Sequence, residues 1–350
     1  MLVDYILVGQ GLAGSILANH LINAGCSVMV FDDPLLSNSS KIAGGLYNPV
    51  TGRKMAKTWN ADNLFGYLTD YYPKLQQQLE ADFVNDIPIY RPFISPEELN
   101  EWMGKSADID YSSYVQAVHN SSAYGNQVSD DFGGILLNQS GFVDTGKLLE
   151  ASAKYLDEKE SLTKGYFNPA DLKFEEGYTS YQGIKCKSVI FCNGHKSLEE
   201  QYFGWIPLRP VKGELLIIKT EENLRVIHNR GVFVIPLGNG VCKVGSTYDH
   251  QNLDEKPTIE AKNVLVHKLN ELVKFPYEIE YQLAGVRPAT KDRKPIIGQH
   301  PEFKSLISFN GFGTKGVSLI PYYAKQLTEF LTKNKDIDSE VNIERFFSLY

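Results

Sequence analysis

The stretch VDYILVGQGLAGSILANHLINAGCSVMVFDD, residues 3–33, constrains this chain more than any other part of it. Ile6, Leu7 and Val8 form an apolar run suited to a buried strand, and Gly9, Gly11 and Gly14 make a GxGxxG turn that opens a helix. Ile16, Leu17, His20 and Leu21 follow at helical spacing, Gly25 is placed to end the helix, and residues 27–31 read as a second strand running into Asp32. Each residue type has a reason. Gly9 permits the tight turn, Gly11 lets backbone N–H groups approach a pyrophosphate, and Gly14 lets the helix pack close to the sheet. The helix N-terminus adds unpaired donors and partial positive charge. Asp32, 23 residues beyond Gly9, stands where a carboxylate accepts both hydroxyls of an adenosine ribose. It also opposes a 2′-phosphate, which makes NADP the poorest occupant and leaves FAD and NAD open at this point.

At 350 residues, with 43% hydrophobic and 22% charged content, the chain has enough apolar material for two domains. A formal charge of −7 gives no basic footprint for nucleic acid or an anionic membrane, so a small-molecule substrate is expected. Cys26, Cys186, Cys192 and Cys242 have no metal-ligand spacing and read as reduced thiols, consistent with a cytoplasmic protein. No metal site, signal peptide or membrane span is read from the sequence. The oligomeric state is not encoded legibly.

Residues 34–59 are polar, then Gly-rich, and too irregular for a strand or helix. Ser39 and Ser40 could reach phosphate oxygens, and Ala43, Gly44 and Gly45 leave room for a flat ring. From Ala61 to about Asp82 the pattern is helical; IPIYRPF is strand-like, and Ser95, Pro96 and Glu98 form a capping box with proline at the first helical position. Asp144 is placed to cap a helix through residue 156, and KSVIFCNG reads as a central parallel strand whose end, at Cys192, Asn193 and Gly194, meets the cofactor. Residues 206–250 alternate as antiparallel strands with a hairpin at Gly238, Asn239 and Gly240, and a helix of about residues 257–273 follows.

A second Gly-rich turn opens a C-terminal helix at GFGTKGV, with Gly311, Gly313 and Gly316 again letting backbone N–H groups face a ligand. A nicotinamide enzyme has no obvious task for it. In a flavoenzyme, a helix N-terminus stabilises the negative charge that a reduced isoalloxazine carries, which tips the choice to FAD.

The ordered set GQGLAG, Asp32, SSKIAGG, GFVDTGKLL, VIFCNG, LRPVKGELL, AGVRPATKDRKPIIG and NGFGTKGVSLIP resembles the D-amino acid oxidase superfamily of FAD-dependent oxidoreductases. It is most similar to the glycine oxidase branch and to the flavin domain of the bifunctional tRNA-modifying MnmC proteins. The resemblance implies an α/β fold: a Rossmann-type FAD-binding domain (1–60, 141–205 and 283–350) interleaved with an α+β substrate domain on an antiparallel sheet (61–140 and 206–282). It implies noncovalent FAD and oxidation of a C–N bond beside a carboxylate by hydride transfer to flavin N5. Cofactor-binding candidates are Gly9, Gly11, Leu12, Ala13, Gly14, Asp32, Asp33, Ser39, Ser40, Ala43, Gly44, Gly45, Phe167, Cys192, Asn193, Gly194, Arg287, Gly311, Gly313, Thr314, Lys315, Gly316 and Val317.

Arg287 matches the family arginine that pairs with the substrate carboxylate, a planar fork suited to bidentate contact, and Tyr248 matches a position lining the substrate pocket. Three positions depart from the family pattern: Phe233 where relatives carry a tyrosine, and Thr314 and Lys315 in place of a bulkier polar pair. The methyltransferase domain of the bifunctional relative is not in this sequence, and the acidic balance disfavours tRNA. Lys291, Lys294 and Lys315 are candidates for positive charge near the ring. Two other functions compete with amine or amino acid oxidation. One is FAD-dependent oxidation of a 2-hydroxy acid, which needs a base, His195 or His300 being the candidates; the other is a non-catalytic FAD-binding redox sensor or scaffold.

Overall fold

The computed structural model describes residues 1–36, 38–52 and 54–350. The apolar run Tyr5–Val8 becomes the third strand of a six-stranded sheet ordered Leu162–Lys164, Val28–Asp32, Tyr5–Val8, Ser188–Phe191, Leu306–Asn310, Ile296–Gln299. The first five run parallel, with Ile6 opposite both Met29 and Val189, and Ile296–Gln299 closes the edge antiparallel. Tyr5–Val8 and Ser188–Phe191 are buried throughout, which explains why both read as continuous apolar runs. Helices Leu12–Asn23 and Gly316–Lys333 pack together beside this sheet.

The second large sheet has eight strands in the order Glu278–Arg287, Val211–Lys219, Val241–Gly245, Val232–Gly238, Ile227–Arg230, Ile89–Pro92, Gly134–Leu137, Val115–His119. All pairs are antiparallel except Ile227–Arg230 with Ile89–Pro92. Two stretches far apart in sequence therefore build one sheet. Along Val211–Lys219, Leu216 and Ile218 join the core formed with Leu265, Leu269 and Leu272 of helix Ile259–Leu272. The alternate positions, Val211, Gly213 and Leu215, line a cavity on the other face. Behind that sheet Lys212 and Glu214 are buried and engage residues 254–258: Lys212 Nζ bonds Asp254 at 2.6 Å, and Glu214 accepts from Thr258 N at 2.8 Å.

Several boundaries differ from expectation. Residues 34–59 hold a short helix, Ser39–Ile42, strand Leu46–Tyr47 and a hairpin of Val50–Thr51 with Ala56–Lys57; strands of two residues are too short to show a period. Helix Ala61–Leu79 stops before Asp82 because Glu80 turns left-handed at its end. That helix packs on Gly316–Lys333, with Tyr72 Oη donating to Val317 O at 2.7 Å, so the segment beginning at Ala61 starts against the nucleotide-sheet layer. The 282/283 boundary falls inside strand Glu278–Arg287. At the next helix, Pro96–Lys105, Ser95 accepts from Glu98 N as a cap, but Glu98 reaches back to Ile94 N rather than to Ser95 N.

Candidate active site

A continuous cavity of about 1610 Å³ is bordered by both large sheets. Every candidate residue named from the sequence lines it except Gly14 and His300. Gly14 acts behind the site instead. A Cβ there would lie 1.8 Å from Gly9 O, so the helix rests on the turn itself. Gly9 has φ +101°, and a Cβ would meet Cys192 O at 2.9 Å, which locks the first turn against the end of strand Ser188–Phe191.

Helix Leu12–Asn23 starts at Gly11 with no side-chain cap and no acidic residue in its first turn; Leu12 N donates to Ser40 Oγ at 3.1 Å. Asp32 Oδ1 accepts from Gln10 N at 2.8 Å, which fixes the carboxylate beside the turn. Helix Gly316–Lys333 likewise begins without a side-chain cap or first-turn acid, and Gly311 and Gly313 ahead of it have positive φ. Two helix N-termini thus open onto one cavity through turns that lack side chains, an arrangement suited to a pyrophosphate at one end and an anionic ring at the other. Beside Phe31 of strand Val28–Asp32, Phe167 stacks on Tyr181 with ring centroids 4.0 Å apart.

Arg287 ends the edge strand of the eight-stranded sheet. Its guanidinium lies over Gly213, where a Cβ would fall 1.9 Å from Nη2, and under the Tyr248 ring at 5.2 Å. Nη1 donates to Thr247 O at 3.3 Å. No carboxylate pairs with it among the described residues, and burial pushes its pKa down. Arg287 is tied directly to the second glycine turn: Ala289 N donates to Arg287 O at 2.9 Å, and Gly313 N to Pro288 O at 3.0 Å.

Lys315 Nζ donates to Thr51 Oγ1 at 3.1 Å and Thr58 Oγ1 at 3.2 Å, and burial pulls its pKa down to about 8. Of the other lysines, Lys294 pairs with Glu340 and sits over Trp59, while Lys291 is exposed. The Phe233 ring is wedged between two glycines. Its Cζ lies 2.7 Å from where a Gly44 Cβ would be and 2.8 Å from where a Gly245 Cβ would be.

Of the two histidines considered as bases, His195 lines the cavity with Nε2 3.9 Å from Glu255, and burial lowers its pKa. His300 is buried away from the cavity in a cluster with Tyr202, Phe203 and Phe303, so it has no path to a substrate. Sequence reasoning missed Lys243, whose Nζ donates to Ala43 O at 2.8 Å, and the threonines that hold Lys315. The alternation in VCKVG carried a signal: Lys243 shares a strand face with Gly245, not with the buried Cys242 and Val244.

No helix among the described residues is long and apolar enough to cross a membrane. Among curated proteins, the chain is 29% identical to a glycine oxidase of Pseudomonas aeruginosa over 136 residues, 38% of this chain and 37% of that one. It is 22% identical to the tRNA 5-methylaminomethyl-2-thiouridine biosynthesis bifunctional protein MnmC of Vibrio cholerae, covering 93% of this chain and 55% of that protein. The chain thus spans about half the length, or less, of these relatives. Its fold is similar to that of glycine oxidase from Geobacillus kaustophilus (TM-score 0.78, 18% identity, 98% of each chain covered). It is also similar to that of L-proline dehydrogenase from P. horikoshii (TM-score 0.79, 17% identity, 98% of this chain and 96% of that one). Residues 4–330 match the family described as FAD dependent oxidoreductase, DAO. The chain belongs to the DAO family of FAD-dependent oxidoreductases, and FAD is its cofactor.

Proposed function

We propose that this chain oxidises the C–N bond of a small amine or amino acid carrying a carboxylate. The observation that carries the reading is Arg287, a buried guanidinium in the cavity wall with no carboxylate partner among the described residues. An uncompensated buried charge is costly, and a ligand carboxylate would restore the balance. Bound FAD supplies the hydride acceptor at N5. The sandwich of Gly213 and Tyr248 fixes the Arg287 fork, and the fork fixes the substrate α-carbon. The N–H groups at the start of helix Gly316–Lys333, with Lys315, offer positive charge to a ring that gains electrons. A neutral amine gives up hydride without a strong base, and water hydrolyses the imine. In this reading residues 1–60, 141–205 and 283–350 hold the cofactor, and residues 61–140 and 206–282 shape the substrate side.

The test is the visible spectrum of the FAD-loaded protein under anaerobic conditions with pools of amino acids, N-methyl amino acids and 2-hydroxy acids. Bleaching by an amine pool is expected. Bleaching by hydroxy acids alone would overturn the reading in favour of alcohol oxidation.

A further inference from the structure

The Arg287 guanidinium leaves its own strand, lies on Gly213 of strand Val211–Lys219 and ends at the segment 247–249 beyond it. That segment follows strand Val241–Gly245 and carries its pairing with Val211–Lys219 onward. Lys212 and Asp249 exchange both ladder hydrogen bonds, Lys212 N to Asp249 O at 2.8 Å and Asp249 N to Lys212 O at 2.9 Å. In an antiparallel ladder such pairs recur at every second residue, so Glu214 and Thr247 are due to exchange the next two. One of them forms, Thr247 N to Glu214 O at 3.2 Å. In place of the other, Glu214 N donates to the Thr247 side chain, Oγ1, at 2.9 Å. The Thr247 carbonyl, left out of the ladder, accepts from Arg287 Nη1 at 3.3 Å.

We infer that Thr247 is a positioning residue for the substrate anchor: its hydroxyl replaces its own carbonyl in the ladder and so frees that carbonyl to hold the Arg287 fork. The inference rests on the reading of Arg287 as the group that binds a substrate carboxylate. Glu214 is buried, and a backbone N–H shielded from water needs an acceptor. An in-register carbonyl points along the sheet at that N–H. The guanidinium lies above the sheet instead, on the face where a Gly213 Cβ would stand, so the two donors require different tilts of one C=O. The Thr247 hydroxyl resolves the conflict by serving Glu214 while the carbonyl serves Arg287. Thr247 O is the hydrogen-bond acceptor that Arg287 has among the described residues, and the next residue, Tyr248, sets its ring 5.2 Å over the same guanidinium. Held at one nitrogen, a guanidinium keeps its remaining N–H groups for a ligand, and bidentate contact with a carboxylate depends on the plane in which the fork is held. Serine supplies the oxygen that this arrangement needs; valine has the shape of threonine without it.

The experiment titrates the FAD-loaded protein with propionate and hexanoate, which are redox-inert, and reads the perturbation of flavin absorption, so it needs no turnover. Thr247→Val should weaken both acids at least about tenfold, the scale of a hydrogen bond to a charged group, with FAD affinity unchanged. Thr247→Ser should bind them as the parent does. In an Arg287→Ala background Thr247→Val should cost nothing further, because the fork that Thr247 holds is gone. Thr247→Ala removes the same oxygen with less bulk and repeats the comparison if Thr247→Val fails to fold. The inference is overturned, with the anchor reading intact, if Arg287→Ala loses the acids while Thr247→Val keeps them. It is equally overturned if Thr247→Ser binds as weakly as Thr247→Val, or if the loss persists in the Arg287→Ala background. Acid affinity unmoved by Arg287→Ala itself would sink the anchor reading, and this inference with it.

Discussion

Gly11 and Gly14 stand three residues apart in one motif, yet the structure gives them opposite liabilities. At Gly14 an added methyl lands 1.8 Å from Gly9 O, a backbone atom that has no rotamer to escape into. Ordinary contact at about 3.4 Å requires helix Leu12–Asn23 to move bodily off the turn, and overpacking of this kind costs about 1–3 kcal/mol. Gly14→Ala should therefore lower the stability of the apo-protein by that amount, read by urea or thermal unfolding with FAD stripped. Gly11 has φ −70°, an ordinary backbone for any residue, and its added methyl would meet only the side-chain ends of Asn38 and Ser40 at 3.4 Å. Gly11→Ala should change apo stability by under about 1 kcal/mol, the range of an N-cap change. It should weaken FAD by about 1–3 kcal/mol, roughly 5- to 150-fold in Kd, because the methyl projects where the dinucleotide must approach. Quenching of free FAD fluorescence measures this directly. If the two apo-variants unfold alike, or if Gly11→Ala binds FAD as tightly as the parent, the assignment of the first turn is wrong.

Three further outcomes follow from the geometry. Arg287→Ala should retain FAD while weakening a carboxylate inhibitor by about 2–5 kcal/mol, and unchanged inhibitor affinity in a spectral titration would remove Arg287 from the site. Lys315, with its pKa near 8, is charged below that pH and neutral above it. Inhibitor affinity should therefore fall as pH rises through about 8, and a Lys315→Met variant should lose that step. His20 and His228 are buried with pKa values pulled down to about 4 by desolvation, so each stays neutral in the native state while the unfolded chain titrates near 6.5. The unfolded state then binds more protons between those values, and stability, full above about pH 6.5, should fall by about 3 kcal/mol per histidine as pH drops to about 4. Urea midpoints across that range, with and without His20→Phe, check the sign and the slope.

What the sequence disclosed follows from how far each signal reaches along the chain. The first strand, glycine turn and helix are local, and their apolar runs and glycines specify backbone conformations directly, so residues 5–32 were legible in detail. The hairpin of Val50–Thr51 with Ala56–Lys57 was not, since two-residue strands have no period, and only the fold brings Thr51 and Thr58 to Lys315. Helix Ala61–Leu79 was legible as a helix, but its partner, Gly316–Lys333, lies more than two hundred residues away, and amphipathicity names a buried face without naming what buries it. The departure at Phe233 was visible, while the glycines at 44 and 245 that its ring packs between come from distant parts of the chain and were not.

The link from Arg287 through Pro288 to Gly313 sets how positional error accumulates in this molecule. A substrate anchor on one sheet and a cofactor turn on another would ordinarily be located by separate datums, with the slack of every intervening loop added between them. Here both are gauged from the same short run of backbone, and one 3.0 Å hydrogen bond from Gly313 N to Pro288 O transfers the measurement. Under the proposed roles of Arg287 and the second glycine turn, insertion of one residue between 287 and 289 would part substrate anchor from ring.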